Sequence, residues 1–209
     1  MNLGIVTCVR KSGDADKMIE SFPCAPIYQA VDCASIGEGY NQALVRLTGS
    51  FDILLFVHAD VRYWGSGRLL CDAMDVAAKE DAGFVGVAGR YSPLTPSGKW
   101  WDDNLHLRGA VAHDALHGGT LKTDCYGPYG GVRVLDGVLL MCHRRVFEKI
   151  GQWDESLGWH FYDLDITLRA HKAGLKNYAV PLPILHQGLG TLTPEWEASR
   201  KVFLEKHGI

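Results

Sequence analysis

The sequence lacks the features that mark several large classes of protein. None of its 209 residues belong to an apolar run of about 20, so no segment is predicted to span a membrane. The apolar run at residues 1–9 is too short for a secretory signal and has no basic start, so none is expected. These absences favour a cytoplasmic protein, with peripheral attachment to the inner face of a membrane left open.

The chain also has no excess of basic residues over acidic ones. The chain has 21 lysine and arginine residues against 24 aspartate and glutamate residues, and its formal charge is -3. A protein that binds nucleic acid neutralises phosphates with clustered basic residues, so this balance gives no electrostatic case for a nucleic-acid partner. There is no internal repeat and no low-complexity tract.

The six cysteines lack the spacing of a disulfide framework or of a zinc site. No Cys-x-x-Cys pair occurs among Cys8, Cys24, Cys33, Cys71, Cys125 and Cys142. We interpret them as reduced, mostly buried thiols. His113 and His117 are four residues apart, which would place them on one face of a helix, but no third zinc ligand is evident.

The order of predicted elements indicates one α/β domain. Hydrophobic residues make up 47% of the chain and charged residues 22%, enough for a sizeable core. Strands are predicted at 3–9, 25–31, 51–57, 84–88, 132–142 and 178–185, and helices at 14–20, 35–47, 67–78, just before Gly151, at 163–173 and after the Thr193-Pro194 start. Their alternation predicts a mostly parallel sheet flanked by helices. Residues 91–131 do not fit it and are predicted to be an irregular insertion.

One candidate site follows the most apolar strand. Asp60 lies just past the apolar run at 51–57, and ligands of open α/β sheets bind beyond the carboxyl ends of strands. A carboxylate there suits Mg²⁺ or Mn²⁺, which can bridge nucleotide phosphates. His58, two residues earlier, points to the same side of an extended segment. The alternative is that Asp60 only begins a turn.

A second candidate is Asp163, which opens a predicted helix after a loop. A carboxylate in that place can point towards a ligand and act as a base. It can also do no more than stabilise the start of the helix.

Several motifs occur together in a characteristic order. They are His58-Ala59-Asp60-Val61, Asp136-Gly137, Gly151-Gln152-Trp153-Asp154-Glu155, Asp163-Leu164-Asp165 with Leu168-Arg169, Ala173-Gly174, and His186. Together they resemble glycosyltransferase family 2 on a GT-A fold, and in particular the branch whose metal motif reads His-x-Asp-Val. The resemblance covers about residues 3–190. It implies an inverting, metal-dependent transfer of a sugar from a nucleotide-diphospho sugar, with Mn²⁺ or Mg²⁺ as cofactor.

The resemblance assigns roles to individual residues. Asp60 matches the last acidic residue of the metal motif, His186 the histidine that completes the metal site, and Asp163 the proposed catalytic base. Two positions depart from the pattern: His58 stands where the motif usually has its first aspartate, and Tyr162 replaces the usual glutamate before the base.

The nucleotide should meet the ends of the first two strands. Thr7 and Arg10 at the end of the first strand and Asp32 after the second are the candidates, and Asp32 is similar to an acidic residue that reads the base. Asn41 matches a commonly polar position near the nucleotide. His58 and Asp60 complete the expected donor site.

The acceptor is expected on the other side of the site. The Asp136 carboxylate could hydrogen-bond sugar hydroxyls beside Gly137, and Trp159 could offer a stacking face, although a tryptophan is more often packed in a core. The implied division is a nucleotide-binding half at about 1–90, an acceptor-binding half at about 91–190 and a C-terminal helix at about 194–207. A UDP-sugar donor and a glycan or lipid-linked acceptor are favoured, and homo-oligomerisation is left open.

Three other interpretations compete with this one. The departures at His58 and Tyr162 fit a catalytically silent binding module that keeps the fold. A sugar nucleotidyltransferase would share the architecture, but the glycine-rich basic loop that it needs near the first strand is missing. A metal hydrolase using His58 and Asp60 lacks an evident second histidine cluster.

Overall fold

The computed structural model describes residues 1–9, 14–22, 25–47, 49–114, 121–188 and 192–209. The helices are α1 (Asp16–Ser21), α2 (Ile36–Arg46), α3 (Gly67–Ala77), α4 (Arg145–Ile150), α5 (Tyr162–Lys172) and α6 (Pro194–His207). The strands are β1 (Leu3–Val9), β2 (Ile27–Val31), β3 (Ile53–Val57), β4 (Val61–Tyr63), β5 (Ala82–Gly86), β6 (Ala88–Arg90), β7 (Leu107–His113), β8 (Lys122–Gly127), β9 (Gly130–Val132), β10 (Val134–Leu135), β11 (Leu139–His143), β12 (Lys176–Ala179) and β13 (Ile184–His186).

A seven-stranded sheet in the order β2-β1-β3-β11-β5-β12-β9 forms the centre of the protein. Five of its strands run in one direction, whereas β11 and β9 run antiparallel to their neighbours. Every residue of β3 is buried, as expected for an apolar strand that is covered on both faces. The predicted α/β fold, a mostly parallel sheet flanked by helices, is confirmed.

Two hydrophobic clusters cover the two faces of this sheet. The side chains of β3 alternate between them because successive residues of a strand point to opposite faces. Ile53, Leu55 and Val57 join a cluster that includes residues of α1 and α3. Leu54 and Phe56 join a second cluster that includes residues of α2 and α4.

The prediction that residues 91–131 are irregular is wrong for much of that segment. β7 and β8 form an antiparallel hairpin within a second sheet, whose order is β10-β6-β7-β13-β4 with β8 paired to β7. The hairpin depends on pairing with β6 and β13, which lie far along the chain, so local sequence does not reveal it. Gly109 has a φ of +97° at the irregularity in β7, and a side chain there would strike the carbonyl of Val87.

The single strand predicted at 132–142 is also wrong, because the chain changes sheets within it. β10 pairs with β6 in the second sheet, and β11 pairs with β3 and β5 in the central one. The turn between them is closed by the Asp136 carboxylate, which accepts a hydrogen bond from the Val138 N–H at 2.8 Å. The single strand predicted at 178–185 divides in the same way into β12 and β13, and Pro181 and Pro183 lie in the segment between them.

The predicted helix boundaries agree closely with the structure. Ser35 caps α2 by accepting a hydrogen bond from the Glu38 N–H, and Thr193 caps α6 by accepting one from the Trp196 N–H. Gly208 ends α6 in the left-handed region, with a φ of +67°.

Within the described residues, none of the helices has the length and apolar character that crossing a bilayer requires.

The C-terminal helix is tied to α5 by one buried carboxylate. Asp165 is 0% exposed. Its carboxylate oxygens lie 2.8 Å from a side-chain nitrogen of each of Arg169, Lys206 and His207. Burial alone would raise the pKa of Asp165, but His207, Lys206 and Arg169 together lower it to about 2. This network fixes α6 against the helix that carries Asp163.

Candidate active site

A cleft of about 630 Å³ lies where the carboxyl end of β3 meets the second sheet. Its wall gathers residues that are far apart in the sequence. Those with polar or ionisable side chains include His58, Asn104, His113, Asp124, Asp136, Tyr162, Asp163 and His186. Ligands of open α/β sheets bind at this end of the strands, so the cleft lies where a substrate site is expected.

His58, Asp60 and His186 form a cluster, and His58 and His186 also line the cleft. Each offers a ligand atom, and these atoms all lie within 4.8 Å of one another. His58 and Asp60 follow β3, and His186 ends β13, which pairs with β4 so that His186 lies opposite Val61. The Nε2 atom of His186 lies 3.4 Å from the Asp60 carboxylate. Two imidazoles and a carboxylate at this separation suit a divalent transition-metal ion.

The electrostatics of the cluster support ligation. Burial alone would raise the pKa of Asp60, but its hydrogen bond to His186 and the charges of His186 and His58 lower it. Burial and the nearby His186 lower the pKa of His58. At neutral pH, Asp60 is therefore ionised and His58 is neutral, the forms that bind metal ions. Burial would lower the pKa of His186, but the hydrogen bond and charge of Asp60 raise it.

A glycine leaves open the space beside these ligands. A Cβ atom at Gly188 would lie 2.6 Å from a carboxylate oxygen of Asp60 and 3.1 Å from Nε2 of His186. Glycine therefore keeps a bulkier side chain from blocking the point on which the ligand atoms converge. The donor set and this gap together fit a bound divalent cation.

Asp163 lies on the cleft wall in the first turn of α5. The residue at the helix N-cap is Phe161, with a φ of +61°, so Asp163 does not occupy the capping position. Its carboxylate accepts a hydrogen bond from the Gly137 N–H at 2.7 Å. Burial and the charge of Asp136 raise the pKa of Asp163 to about 7. A carboxylate whose pKa lies near neutral pH is suited to accept a proton from a substrate.

The two positions that depart from the family motif are in contact with each other. Nε2 of His58 lies 2.5 Å from the phenol oxygen of Tyr162, although 104 residues separate them in the sequence. Sequence reasoning singled out both residues as departures but could not reveal that they meet. The sequence signal was that His58 was itself a predicted site residue and that Tyr162 directly precedes another, Asp163.

The hairpin of the second sheet supplies the wall that sequence reasoning missed. His113, on β7, lies beside His186 in the parallel pairing of β7 with β13, and their ring centroids are 5.6 Å apart. Its Nε2 atom lies 3.6 Å from the carboxylate of Asp124 on β8. The idea that His113 lies on a helical face is therefore wrong, and His117 lies outside the described residues. Nothing in the sequence marked Asp124, because its position depends on the pairing of β7 with β8.

The predicted acceptor residues all line the cleft. Asp136 and Gly137 form the turn beside Asp163, and Trp159 lies on the wall with Trp100 and Trp101. Trp100 is almost fully buried, whereas Trp101 is 42% exposed. Trp159 and Trp101 therefore have surface to offer a ligand, and Trp100 serves mainly as packing.

Of the residues predicted to bind the nucleotide, His58 lines the cleft, whereas Thr7, Asp32 and Asn41 do not. Thr7 is buried within β1, and its hydroxyl has no hydrogen-bond partner among the described residues. Asp32 is exposed after β2 with a φ of +57°. The Asn41 amide is occupied by hydrogen bonds to Trp153 and Glu155, which tie α2 to the segment before α5. Arg10 lies outside the described residues. Nucleotide contact by these residues stays a prediction.

Solved structures of glycosyltransferases share this architecture. GalNAc-T7, solved with UDP, GalNAc and Mn²⁺, matches with a TM-score of 0.66 and 11% identity over 98% of this chain and 48% of that one. The mannosyltransferase PcManGT from Pyrobaculum calidifontis, solved with GDP-Man and Mn²⁺, matches with a TM-score of 0.56 and 12% identity over 99% of this chain and 62% of that one. The chain thus spans about half to three fifths of these two proteins.

A Drosophila β1,4-galactosyltransferase 7 mutant, solved with manganese, UDP-Gal and xylobiose, matches with a TM-score of 0.51 and 11% identity over 94% of this chain and 69% of that one. At such low identity these matches establish the shared GT-A fold alone. No curated protein sequence matches the chain significantly.

A family model decides the classification. The model described as "Glycosyltransferase like family" matches residues 23–207, a span that contains the metal-ligand cluster, the Asp136-Gly137 turn and α5. The match confirms the resemblance drawn from the ordered motifs. The chain belongs to the glycosyltransferase-like family.

Proposed function

We propose that the protein is a metal-dependent, inverting glycosyltransferase. It would move a sugar from a nucleotide-diphospho sugar to a hydroxyl group of a glycan or a glycolipid. The observation that carries this proposal is that one cleft contains both a cluster of metal-ligand type and a carboxylate, Asp163, with a pKa raised to about 7. Transfer of a sugar from a diphosphate needs both kinds of group.

The metal centre would act on the leaving group. A divalent cation held by His58, Asp60 and His186 would neutralise the charge that develops on the departing diphosphate. The solved relatives described above contain Mn²⁺ together with UDP or a nucleotide sugar, which supports the choice of this cation and of this class of donor. A UDP-sugar is the first donor to test.

The chemistry at the sugar is a single displacement. The acceptor oxygen forms a bond to the anomeric carbon as the bond from that carbon to the diphosphate oxygen breaks, and the electron pair leaves with the diphosphate. The acceptor proton passes to Asp163, which the Gly137 N–H holds in place. Because the acceptor attacks from the face opposite the leaving group, the anomeric configuration is inverted.

The aromatic wall favours a carbohydrate acceptor. Trp101 and Trp159 present ring surface to the cleft that also contains Asp136. A sugar ring has an apolar face that packs on an indole and hydroxyl groups that donate to a carboxylate. The Asp136 carboxylate would bind a hydroxyl group of the acceptor while Asp163 receives the proton.

The proposed donor and metal are tested first by thermal unfolding. UDP, GDP, CDP and dTDP are each added with and without Mn²⁺ to the wild-type protein and to Asp60→Ala. A ligand that binds the folded state raises the unfolding temperature, and at 100 times its Kd it stabilises by about 2.7 kcal/mol. We expect one nucleotide to raise it only when Mn²⁺ and Asp60 are both present.

A shift that is the same without Mn²⁺ or in Asp60→Ala would contradict the metal centre. No shift with any nucleotide, from a folded wild-type protein, would contradict the choice of donor class. Nucleotide binding without sugar transfer to any of a panel of glycan acceptors would favour the silent binding module instead.

A further inference from the structure

The contact between Tyr162 and His58 connects α5 directly to the metal-ligand cluster. The distance from the phenol oxygen to Nε2 of His58 is 2.5 Å. Tyr162 is 4% exposed, so water does not compete effectively for this hydrogen bond. A side chain this well buried next to a metal ligand is in a place to control how that ligand is oriented.

The hydrogen-bond partners of Tyr162 select one form of the imidazole. The Tyr162 hydroxyl has one proton, and the arrangement that satisfies both of its contacts has it donate to the carbonyl oxygen of Gly137, 3.4 Å away. Its phenol oxygen is then left to accept a hydrogen bond from an N–H group at Nε2 of His58. A neutral imidazole carries only one proton, so Nδ1 becomes the unprotonated nitrogen. An unprotonated nitrogen is what a metal ion requires.

Tyr162 is itself held in one place by its neighbours. Its ring centroid lies 5.9 Å from that of Trp153 and 6.0 Å from that of Tyr40, both of which are buried. A Cβ atom at Gly137 would collide with the Tyr162 ring, so the tyrosine fits only against a glycine. The hydroxyl therefore presents a fixed partner to His58 before any ligand arrives.

We propose that Tyr162 is a positioning residue for the metal centre. It holds His58 in the tautomer with the proton on Nε2 and keeps Nδ1 available for a divalent cation. This inference rests on the proposed metal centre and goes beyond it by assigning the position before Asp163 a role. Because Tyr162 and Asp163 are adjacent in α5, one helical turn positions both a metal ligand and the base.

The experiment compares Tyr162→Phe with Tyr63→Phe. Tyr63 is a matched control because it is 8% exposed and its hydroxyl also donates to a backbone carbonyl, that of Ser66 at 2.7 Å. The first measurement is the Kd for Mn²⁺ alone, by electron paramagnetic resonance. The second is ¹⁵N NMR of the His58 imidazole in metal-free protein, which reports the tautomer directly.

We expect Tyr162→Phe to raise the Kd for Mn²⁺ by about 10- to 100-fold. We also expect His58 to change from a single tautomer protonated at Nε2 to a mixture of both. Tyr63→Phe should leave the Kd and the His58 tautomer as they are in the wild type. If Tyr162→Phe does not fold, its circular dichroism spectrum will differ from that of the wild type. The tautomer of His58 in the wild type then tests the inference by itself.

Three results would overturn the inference. One is a wild-type His58 protonated at Nδ1. Another is an unchanged Kd for Mn²⁺ in folded Tyr162→Phe, which would leave the metal centre and the proposed function standing. The third is a wild-type protein that does not bind Mn²⁺, which would overturn the metal centre as well.

Discussion

At the scale of single residues, the site depends on two carboxylates that the fold places together. Asp163 lies in the first turn of α5, and Asp136 occupies the turn between the two sheets, 27 positions earlier in the sequence. Burial disfavours the charged form of Asp163, and the nearby charge of Asp136 disfavours it further. The pKa of Asp163 therefore rises to about 7, which suits it to accept a proton near neutral pH.

Replacing Asp163 by asparagine should abolish most of the transfer activity. The amide keeps an oxygen for the Gly137 N–H but cannot accept the acceptor's proton. We expect kcat to fall by about 10²- to 10⁴-fold, with nucleotide binding and the circular dichroism spectrum unchanged. Steady-state kinetics with the donor identified by thermal unfolding would measure this, and turnover equal to that of the wild type would remove Asp163 from the mechanism.

The ionisation of Asp163 should depend on Asp136. In metal-free protein, ¹³C NMR of the Asp163 carboxyl should show a pKa near 7, and Asp136→Asn should lower it towards the ordinary 3.8. Asp124→Asn is the control, because Asp124 lines the same cleft without being among the causes of the shift. An Asp163 pKa that is the same in all three proteins would show that burial alone raises it.

The same shift has a consequence for stability. Because the folded protein binds this proton more tightly than the unfolded chain, protonation of Asp163 favours folding. That contribution is complete below pH 3.8 and is lost as the pH rises through about 7. In metal-free Asp136→Asn, the loss should therefore occur at lower pH.

At the scale of secondary structure, the helices follow local signals and the second sheet does not. The caps at Ser35 and Thr193 and the glycine at 208 are sufficient to place α2 and α6 from sequence. The β7–β8 hairpin and the change of sheet at Asp136 are decided by pairing between distant strands. Periodicity within a short window carries no information about such pairs, so these elements escaped prediction.

The attachment of α6 to α5 should be sensitive to one substitution. Asp165→Asn leaves Arg169, Lys206 and His207 around a neutral group, and we expect it to cost about 3 kcal/mol of unfolding free energy. Asp72→Asn is a matched control, because its pair with Arg68 also spans four residues but is exposed; it should cost much less than Asp165→Asn. Urea denaturation at pH 7 would measure both values.

The effect of Asp165→Asn should also depend on pH in a defined direction. The folded-state pKa of about 2 lies below the ordinary 3.8, so the ionised carboxylate stabilises the protein above pH 3.8. This contribution disappears as the pH falls towards 2. An equal cost of the substitution at pH 7 and at pH 2 would show that packing, and not charge, is responsible.

At the scale of the whole molecule, the sequence predicted the fold class and the family but not the geometry of the site. The order of motifs from His58 to His186 identified the family, which the match over residues 23–207 confirms. The contact between His58 and Tyr162, and the position of His113 beside His186, follow from how the two sheets meet. No spacing along the chain encodes such distances.

The central sheet also has a consequence for how the protein is made. β11, at Leu139–His143, lies between β3 and β5, which precede it by at least 50 residues. During synthesis, the edges of β3 and β5 that face β11 therefore remain unpaired until β11 has been made. Such delayed, non-local pairing is slow and leaves aggregation-prone edges exposed. The first 90 residues, expressed alone, should therefore not form a stable domain.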